Sequence, residues 1–309
     1  MEKAKYEGSP LAYSSCVDYS LYPTDITSTN SMITSIYPNS NYSDPNNPIS
    51  IFVPATNSLY TSLAESYLYI KCAIKNADGT DLAEDADVGF VENAYASLFE
   101  NISMDLNSIQ ITKPSVNLYH YQYFLENLIG TSSATKKSSM TSELFYEDVG
   151  AAKAAGNIGY NTRKKFTAKS QPVELIGRIS TGISNQNRYL PPDINIKFTL
   201  RRAPVNFSLV GAKVEGKTFP YQIEFQSVVF NVKRYAIDPK VSTHHSRILA
   251  NNHRLNFPIL SSEMRYYWNA YFKVCFFSFF KYYYLLVGSF LIVSYNNRSI
   301  AKFHIGWSS

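Results

Sequence analysis

Cysteine and charged residues are both scarce in this sequence, and the few cysteines argue against a zinc site or a disulfide-rich fold. Its 309 residues include three cysteines, Cys16, Cys72 and Cys275, which are too widely spaced for a zinc ligand set or a dense disulfide framework. Charged residues make up 17% of the chain. The first ten residues are polar and lack the apolar segment of a secretory signal. We therefore expect a reducing environment, cytoplasmic or nuclear.

Basic residues are scarce in the first half of the chain, and acidic residues are scarce in the second. Residues 1–150 hold 7 basic and 18 acidic side chains, a net charge of −11, whereas the remainder holds 22 basic and 6 acidic, a net charge of +16. Such asymmetry suits a protein whose ends meet different partners, or whose copies associate head to tail. Charges that simply follow loop composition explain the same numbers, so both interpretations stay open.

Aromatic residues, in contrast, are abundant, with 25 tyrosines and 19 phenylalanines that favour half-buried pleated surfaces. Apolar or alternating segments bounded by turn residues predict strands at 49–53, 67–75, 102–106, 109–111, 173–179, 194–200 and 221–232. The segment 91–99 fits a helix or a strand. Helices are predicted at 119–129, at 142–149, and from the cap Asp238 to residue 250.

This order of elements excludes a parallel α/β fold, which needs a helix after nearly every strand. It predicts a mainly β protein: a jelly-roll antiparallel β-sandwich with short helices inserted in loops. We divide the chain into an extended N-terminal arm at 1–45, a jelly-roll domain at 46–238, a helix and linker at 239–262, and a hydrophobic tail at 263–309.

A basic segment, rich in Gly, Ala, Asn and Lys, begins near residue 150 and is predicted to be an exposed loop. Its cations are Lys153, Arg163, Lys164, Lys165 and Lys169. Clustered basic side chains bind nucleic acid without sequence preference, so the segment from Lys153 to Lys169 predicts non-specific DNA contact. An ordinary solvated loop is the alternative.

The tail contains an apolar run from Phe276 to Val293, 18 residues that just reach membrane-spanning length. Lys281 within it would cost about 2.5–3.5 kcal/mol at the centre of a bilayer but can snorkel near an end. From about Tyr266 the composition is also that of translated AT-rich non-coding DNA. Intron read-through, a genuine membrane anchor and a buried segment all stay open, and a membrane is a partner only if the tail is genuine.

One motif matches the phosphate-binding loop G-x-x-x-x-G-K-[ST], at residues 211–218. That loop needs a following helix, whose N-terminus helps to bind the phosphate. Pro220 and the alternating segment from Tyr221 leave no room for one. We interpret the match as a loop between strands and keep nucleotide binding as the lesser hypothesis.

The histidines and acidic residues give no metal pattern. His244, His245 and His253 do not place three imidazoles on one helix face. The acidic turn at 85–87 lacks the glycine and the terminal glutamate of a calcium loop. We predict no metal-binding residue and no cofactor.

Nucleophilic catalysis lacks a visible constellation as well. Cys72 lies in a predicted strand, and His120 near Glu126 has no candidate nucleophile beside it. We predict no catalytic residue and expect that the chain is not an enzyme.

Several segments together resemble the first jelly roll of Polinton/Maverick-type (adintovirus-like) major capsid proteins, over roughly residues 45–260. They lie at 88–93, 97–102, 106–107, 119–128, 143–148, 173–178, 186–200 and 239–250. The sequence departs from the family at Ser108, where glycine is usual, at Pro191-Pro192, and after Ile259, where no second jelly roll follows.

The resemblance implies two jelly rolls per complete chain, three chains per pseudo-hexagonal capsomer, and a shell of capsomers around double-stranded DNA. It predicts a structural capsid-type protein from a viral or Polinton-like element, truncated in this form. Its partners would be copies of itself, as a homotrimer if complete, and neighbouring capsid subunits in a virion. The alternative is a membrane-anchored β-sandwich binding module with a C-terminal transmembrane segment.

Overall fold

The structure, a computed structural model, describes residues 27–112, 118–154, 156–211 and 219–250, with side chains as far as residue 247. It also describes the backbone of four strands between residues 263 and 295. The predicted linker at 251–262 and most of the predicted arm, residues 1–26, lie outside this description.

Two four-stranded antiparallel sheets form the sandwich. The long sheet has the order β1-β10-β3-β7 and the short sheet the order β2-β8-β5-β6. The strands are β1 (Ser28–Ile36), β2 (Ile49–Val53), β3 (Leu59–Asn76), β5 (Phe99–Leu106), β6 (Ile109–Gln110), β7 (Val173–Gly177), β8 (Ile196–Arg202) and β10 (Tyr221–Ile237). A small additional ladder pairs β4 (Gly89–Phe90) with β9 (Leu209–Val210).

The distribution of strands between the sheets identifies the topology. Counted along the chain, the eight sandwich strands lie in the orders 1-8-3-6 and 2-7-4-5. This arrangement, in which the chain crosses repeatedly between two antiparallel sheets, is a jelly roll. The predicted fold class is therefore confirmed.

Alternation along the strands builds the core between the sheets. In β3 the buried Leu68, Ile70 and Cys72 alternate with partly exposed neighbours, and Phe198 of β8 meets Phe230 of β10 edge to face. Each such large apolar side chain contributes about 1.5–3 kcal/mol by leaving water.

A β-bulge in β10 changes which of its side chains face inward. The pairing with β3 skips one residue between Phe225 and Ser227, so that the phase of the alternation shifts. Val228 and Phe230 are buried as a result, although the uninterrupted alternation of the sequence places Val229 on the inner face.

The predicted tight hairpin at 102–111 is confirmed as β5 and β6. Its two turn residues, Asn107 and Ser108, have φ values of 46° and 68°, as a type I′ turn requires. Asn107 is fixed further by Asn195, whose backbone N–H donates to the Asn107 side-chain oxygen at 2.8 Å. Ser108 thus adopts the left-handed conformation that glycine adopts most easily.

Short helices occupy the connections, as predicted. They are α1 (Ala94–Ser97), α2 (Tyr119–Gly130), α3 (Ser133–Lys137), α4 (Ile158–Thr167), α5 (Val205–Ser208) and α6 (Pro239–Ala250), with 3-10 turns η1 (Ser139–Glu143) and η2 (Ala168–Ser170). The predictions of α2 and α6 are confirmed. Asp238 caps α6, because its side chain accepts a hydrogen bond from the Lys240 N–H at 2.8 Å.

Three sequence predictions were wrong in part. Ser28–Ile36, assigned to the arm, is β1 of the long sheet, and it escaped notice because nearly all its side chains are exposed and no alternation results. The predicted loop after residue 150 contains α4, which Asn157 caps by accepting from the Tyr160 N–H at 3.1 Å. The helix predicted at 142–149 ends early, because Leu144 has a φ of 58°.

The predicted hydrophobic tail contains four strands in a sheet of their own. They are β11 (Glu263–Asn269), β12 (Phe272–Phe279), β13 (Tyr282–Val287) and β14 (Phe290–Tyr295), and each pairs antiparallel with the next along the chain. Within the residues that the structure describes, no helix combines the length and the apolar character needed to cross a membrane.

Candidate functional site

Cys72 and His120, which we considered as catalytic groups from the sequence, are both buried in the fold. Cys72 is fully buried in β3, and burial raises the pKa of its thiol to about 12. His120 is buried with Nδ1 3.2 Å from the Phe99 carbonyl oxygen, and burial lowers its pKa. Both groups are thereby held in their neutral forms near pH 7, without an adjacent catalytic partner among the described residues.

Of the histidine pair on α6, His245 packs the helix against the sandwich and His244 is exposed. His245 Nδ1 lies 2.9 Å from the phenolic oxygen of Tyr60 at the start of β3. His253 lies outside the described residues. Across the described ranges, no group of three or more His, Cys, Asp or Glu side chains is placed to hold a metal ion.

The motif that matched a phosphate-binding loop falls almost wholly outside the description, which ends at Gly211 and resumes at Phe219. The next described element of the chain is β10, which begins at Tyr221. A strand therefore occupies the position where a phosphate site requires a helix.

The basic segment packs against the acidic loop that follows β3. Lys153 and Lys164 both approach Asp87, at 2.9 and 3.1 Å, and Lys169 pairs with Glu84 at 2.7 Å. The hydrogen bond from Lys153, with further help from Lys164, lowers the pKa of Asp87 to about 2. Part of the charge asymmetry of the sequence is thus neutralised within the chain.

Arg163 of the same segment is completely buried. Its Nε donates to the Phe90 carbonyl oxygen at 2.9 Å, one terminal nitrogen donates to the Tyr146 carbonyl, and the other pairs with Asp148 at 2.6 Å. The predicted exposed loop is therefore a docked insertion, in which Lys165 remains exposed. DNA contact by this segment stays a prediction.

The four edge strands of the sandwich differ in how they meet solvent. β6 has two residues, β2 has five, and β7 is partly covered because the Ser142 hydroxyl donates to the Ile176 carbonyl at 3.0 Å. β1 has nine residues, pairs with β10 on one side and with no second strand among the described residues. Its apolar Met32 and Ile33 are 44% and 52% exposed. An edge of this kind is a template for pairing with another chain.

A cleft of about 820 Å³ lies between the β7 edge and an insertion formed by α2, α3 and η1. We call this insertion the acidic insertion after its two glutamates, although the Lys136-Lys137 pair of α3 balances their charge. Glu126 and Glu143 lie in the wall of the cleft. The Tyr123 hydroxyl donates to Glu143 Oε1 at 2.6 Å, and the Ser180 hydroxyl donates to Glu126 Oε2 at 2.5 Å. Burial raises the pKa of both carboxyls, that of Glu143 to about 7.

Sequence reasoning considered Glu126 only as a neighbour of His120 and did not single out Glu143. Tyr119 and Tyr123 stand four residues apart on α2, a spacing that places both phenols on one helix face. A buried tyrosine hydroxyl needs a hydrogen-bond partner, so this face signals a polar network. The partners Glu143 and Ser180 come from distant segments, and only the fold brings them there.

No family model matches the sequence, and no curated protein matches it. Among solved structures, the chain is similar to the PBCV-1 VP54 structure fitted into a reconstruction of the virophage Sputnik, at 10% identity and a TM-score of 0.43. It is similar to the Sputnik virophage structure at 10% identity and a TM-score of 0.48, and to the Faustovirus major capsid protein at 9% and 0.40.

The alignments cover 81%, 84% and 77% of this chain, but 50%, 56% and 59% of those chains. This chain therefore spans between half and three fifths of the proteins it resembles. The jelly-roll assignment rests on its own strand order, and the relation to Polinton/Maverick elements stays a prediction.

Proposed function

We propose that this chain is a structural capsid-type subunit that assembles with copies of itself through the edge of its jelly roll. The observation that carries the proposal is β1, a nine-residue edge strand exposed on both faces. At about 3.3 Å per residue it offers an outer edge close to 30 Å long that pairs with no described strand. Met32 and Ile33, on opposite faces, supply apolar contact to a partner strand.

The rest of the domain supplies the rigidity that an assembly subunit needs. β3 and β10 pair along most of their lengths at the centre of the long sheet, and the fully buried Phe198 and Leu68 lie in the core between the sheets. A rigid sandwich with one open edge presents the same surface in every copy, which closed, symmetric assemblies require.

Jelly rolls serve several unrelated functions, so the fold alone does not select a capsid role. The sequence resemblance selects it, and it adds a homotrimer, neighbouring capsid subunits and a virion location to the proposal. The origin in a viral or Polinton-like element belongs to the same proposal.

Self-association of the full chain, measured by sedimentation velocity, tests this function. We expect an oligomer for the wild type, and a shift to monomer in Ile33→Lys, because a lysine at the contact would be desolvated without a partner. Ile158→Lys is the matched control, since Ile158 is 73% exposed on α4, away from the β1 edge. A monomeric wild type, or equal behaviour of the two variants, contradicts the proposal.

A further inference from the structure

The cleft beside the acidic insertion carries more negative than positive charge. Glu65, Glu126 and Glu143 line it, and the basic side chain in its lining is that of Arg178. The Arg178 guanidinium donates to the Ala64 carbonyl at 3.3 Å and forms no ion pair with these carboxylates within the described structure. A cationic ligand would therefore meet three glutamates that have no ion-pair partner among the described residues.

Glu143 is the ionisable group in the cleft lining whose hydrogen bonding is incomplete among the described residues. Its side chain belongs to a residue that is 8% exposed, and its Oε1 accepts the bond from Tyr123. Its second oxygen, Oε2, is buried and has no hydrogen-bond partner among the described residues, and the same holds for Asn127 Nδ2 nearby in the lining. In its ionised form Glu143 leaves this buried acceptor without a donor, which is costly, so a ligand that donates a hydrogen bond here would stabilise the carboxylate.

The residues that line the cleft indicate which chemical group would bind to Glu143. A metal ion needs several ligands converging on one point, and none of the described His, Cys, Asp and Glu side chains form such a group. An ammonium group offers three donors and a positive charge. An aliphatic chain attached to it can lie along Met140 and Ile176, the apolar members of the cleft lining.

We infer that the cleft binds a protonated primary amine on an aliphatic chain, with Glu143 as the carboxylate that anchors it. The amine has two sources with the same chemistry, a free polyamine and a lysine side chain of a second copy. The inference is independent of the proposed assembly function, because a monomer could bind a free amine equally well.

The site should respond to pH. The titratable groups around Glu143 are Tyr95, Tyr119, Tyr123, Glu126 and Arg178. Burial raises the pKa of Glu143 to about 7, against opposing effects of the Tyr123 hydrogen bond and Arg178. An amine attracts the carboxylate and not the neutral acid, so its affinity should rise as pH increases through 7.

The experiment is calorimetric titration of the full chain with cadaverine at pH 8. We expect saturable binding by the wild type. In Glu143→Gln the affinity should fall about ten-fold or more, because the variant loses one charge-assisted hydrogen bond to the amine. Glu174→Gln, a change outside the cleft in β7, should bind cadaverine like the wild type. The neutral analogue 1,5-pentanediol should not bind, and binding of cadaverine should weaken at pH 6.

The outcomes separate cleanly. Sedimentation with saturating cadaverine identifies the source: release of monomers indicates a lysine of a second copy, and an unchanged mass indicates a free amine. No binding by the wild type, or equal binding by Glu143→Gln or of pentanediol, overturns the inference. If thermal unfolding shows that Glu143→Gln is not folded, Glu126→Gln takes its place with the same expected loss. Binding by a strictly monomeric chain would support this inference while contradicting the assembly function.

Discussion

Two insertions are attached to the same sandwich, and they differ in how completely their buried charged side chains are paired. The insertion that contains α4, which we call the basic insertion, gives its fully buried Arg163 an ionic partner and two carbonyl acceptors. The acidic insertion keeps Glu143 buried with one oxygen unpaired. Complete pairing fixes an element in place, whereas an unpaired group makes its surroundings sensitive to protons and ligands. The basic insertion is therefore a structural element and the acidic insertion the candidate for binding.

Arg163→Ala should cause the largest loss of stability, because it removes the fully paired charge of the basic insertion. The substitution removes a fully buried guanidinium and leaves the Phe90 carbonyl and the partly exposed Asp148 without their donor, a loss of about 3–5 kcal/mol in unfolding free energy. Urea unfolding monitored by circular dichroism measures it. Lys165→Ala, two residues away and exposed, should change stability by less than about 0.5 kcal/mol. Similar values for both variants would show that the buried pair does not hold the insertion.

Glu143→Gln should show how the acidic insertion depends on pH. The folded pKa of Glu143, about 7, exceeds the unfolded value of about 4.3, so the folded state binds the extra proton. The stability from this group is fully present below pH 4 and is lost as pH rises through 7. The glutamine variant lacks this loss and should gain roughly 2–3 kcal/mol on the wild type between pH 5 and pH 8.

The measurement is urea unfolding of both proteins at a series of pH values. Glu174→Gln provides the control, because it makes the same chemical change at a glutamate that is exposed on β7 beside Lys71. A constant difference between Glu143→Gln and the wild type from pH 5 to pH 8 would mean that Glu143 is ionised throughout.

The strands of the sandwich were largely predictable from the sequence, whereas the environments of the two insertions were not. Alternation in 67–75 and 221–232 and the turn at Asn107 predicted the strands, because these features depend on neighbours in the chain. β1 was missed because it is exposed on both faces, and a periodic signal needs one buried face. The burial of Arg163 and Glu143 was missed for a different reason. Their environments come from contacts across the fold, and local composition made one segment look like a solvated basic loop.

Asp87→Asn should have the smallest effect on stability. It tests whether the surface ion pairs of the basic insertion stabilise the fold as much as its buried arginine does. Asp87 meets Lys153 and Lys164, but its side chain is 51% exposed, so screening limits the contribution to about 0.5–1 kcal/mol. Because the pKa of Asp87 is lowered to about 2, chiefly by the Lys153 hydrogen bond, this stability is present above pH 4 and lost as pH falls through 2.

Urea unfolding at pH 7 and at pH 2.5 measures this contribution, and 1 M salt at pH 7 should reduce it. Glu84→Gln, which removes a more exposed partner of Lys169, should have almost no effect. The direction of the pH dependence is the informative result, since Asp87 should lose its contribution in acid and Glu143 in base. If Asp87→Asn were as damaging as Arg163→Ala, the surface ion pairs and not the buried arginine would hold the basic insertion on the sandwich.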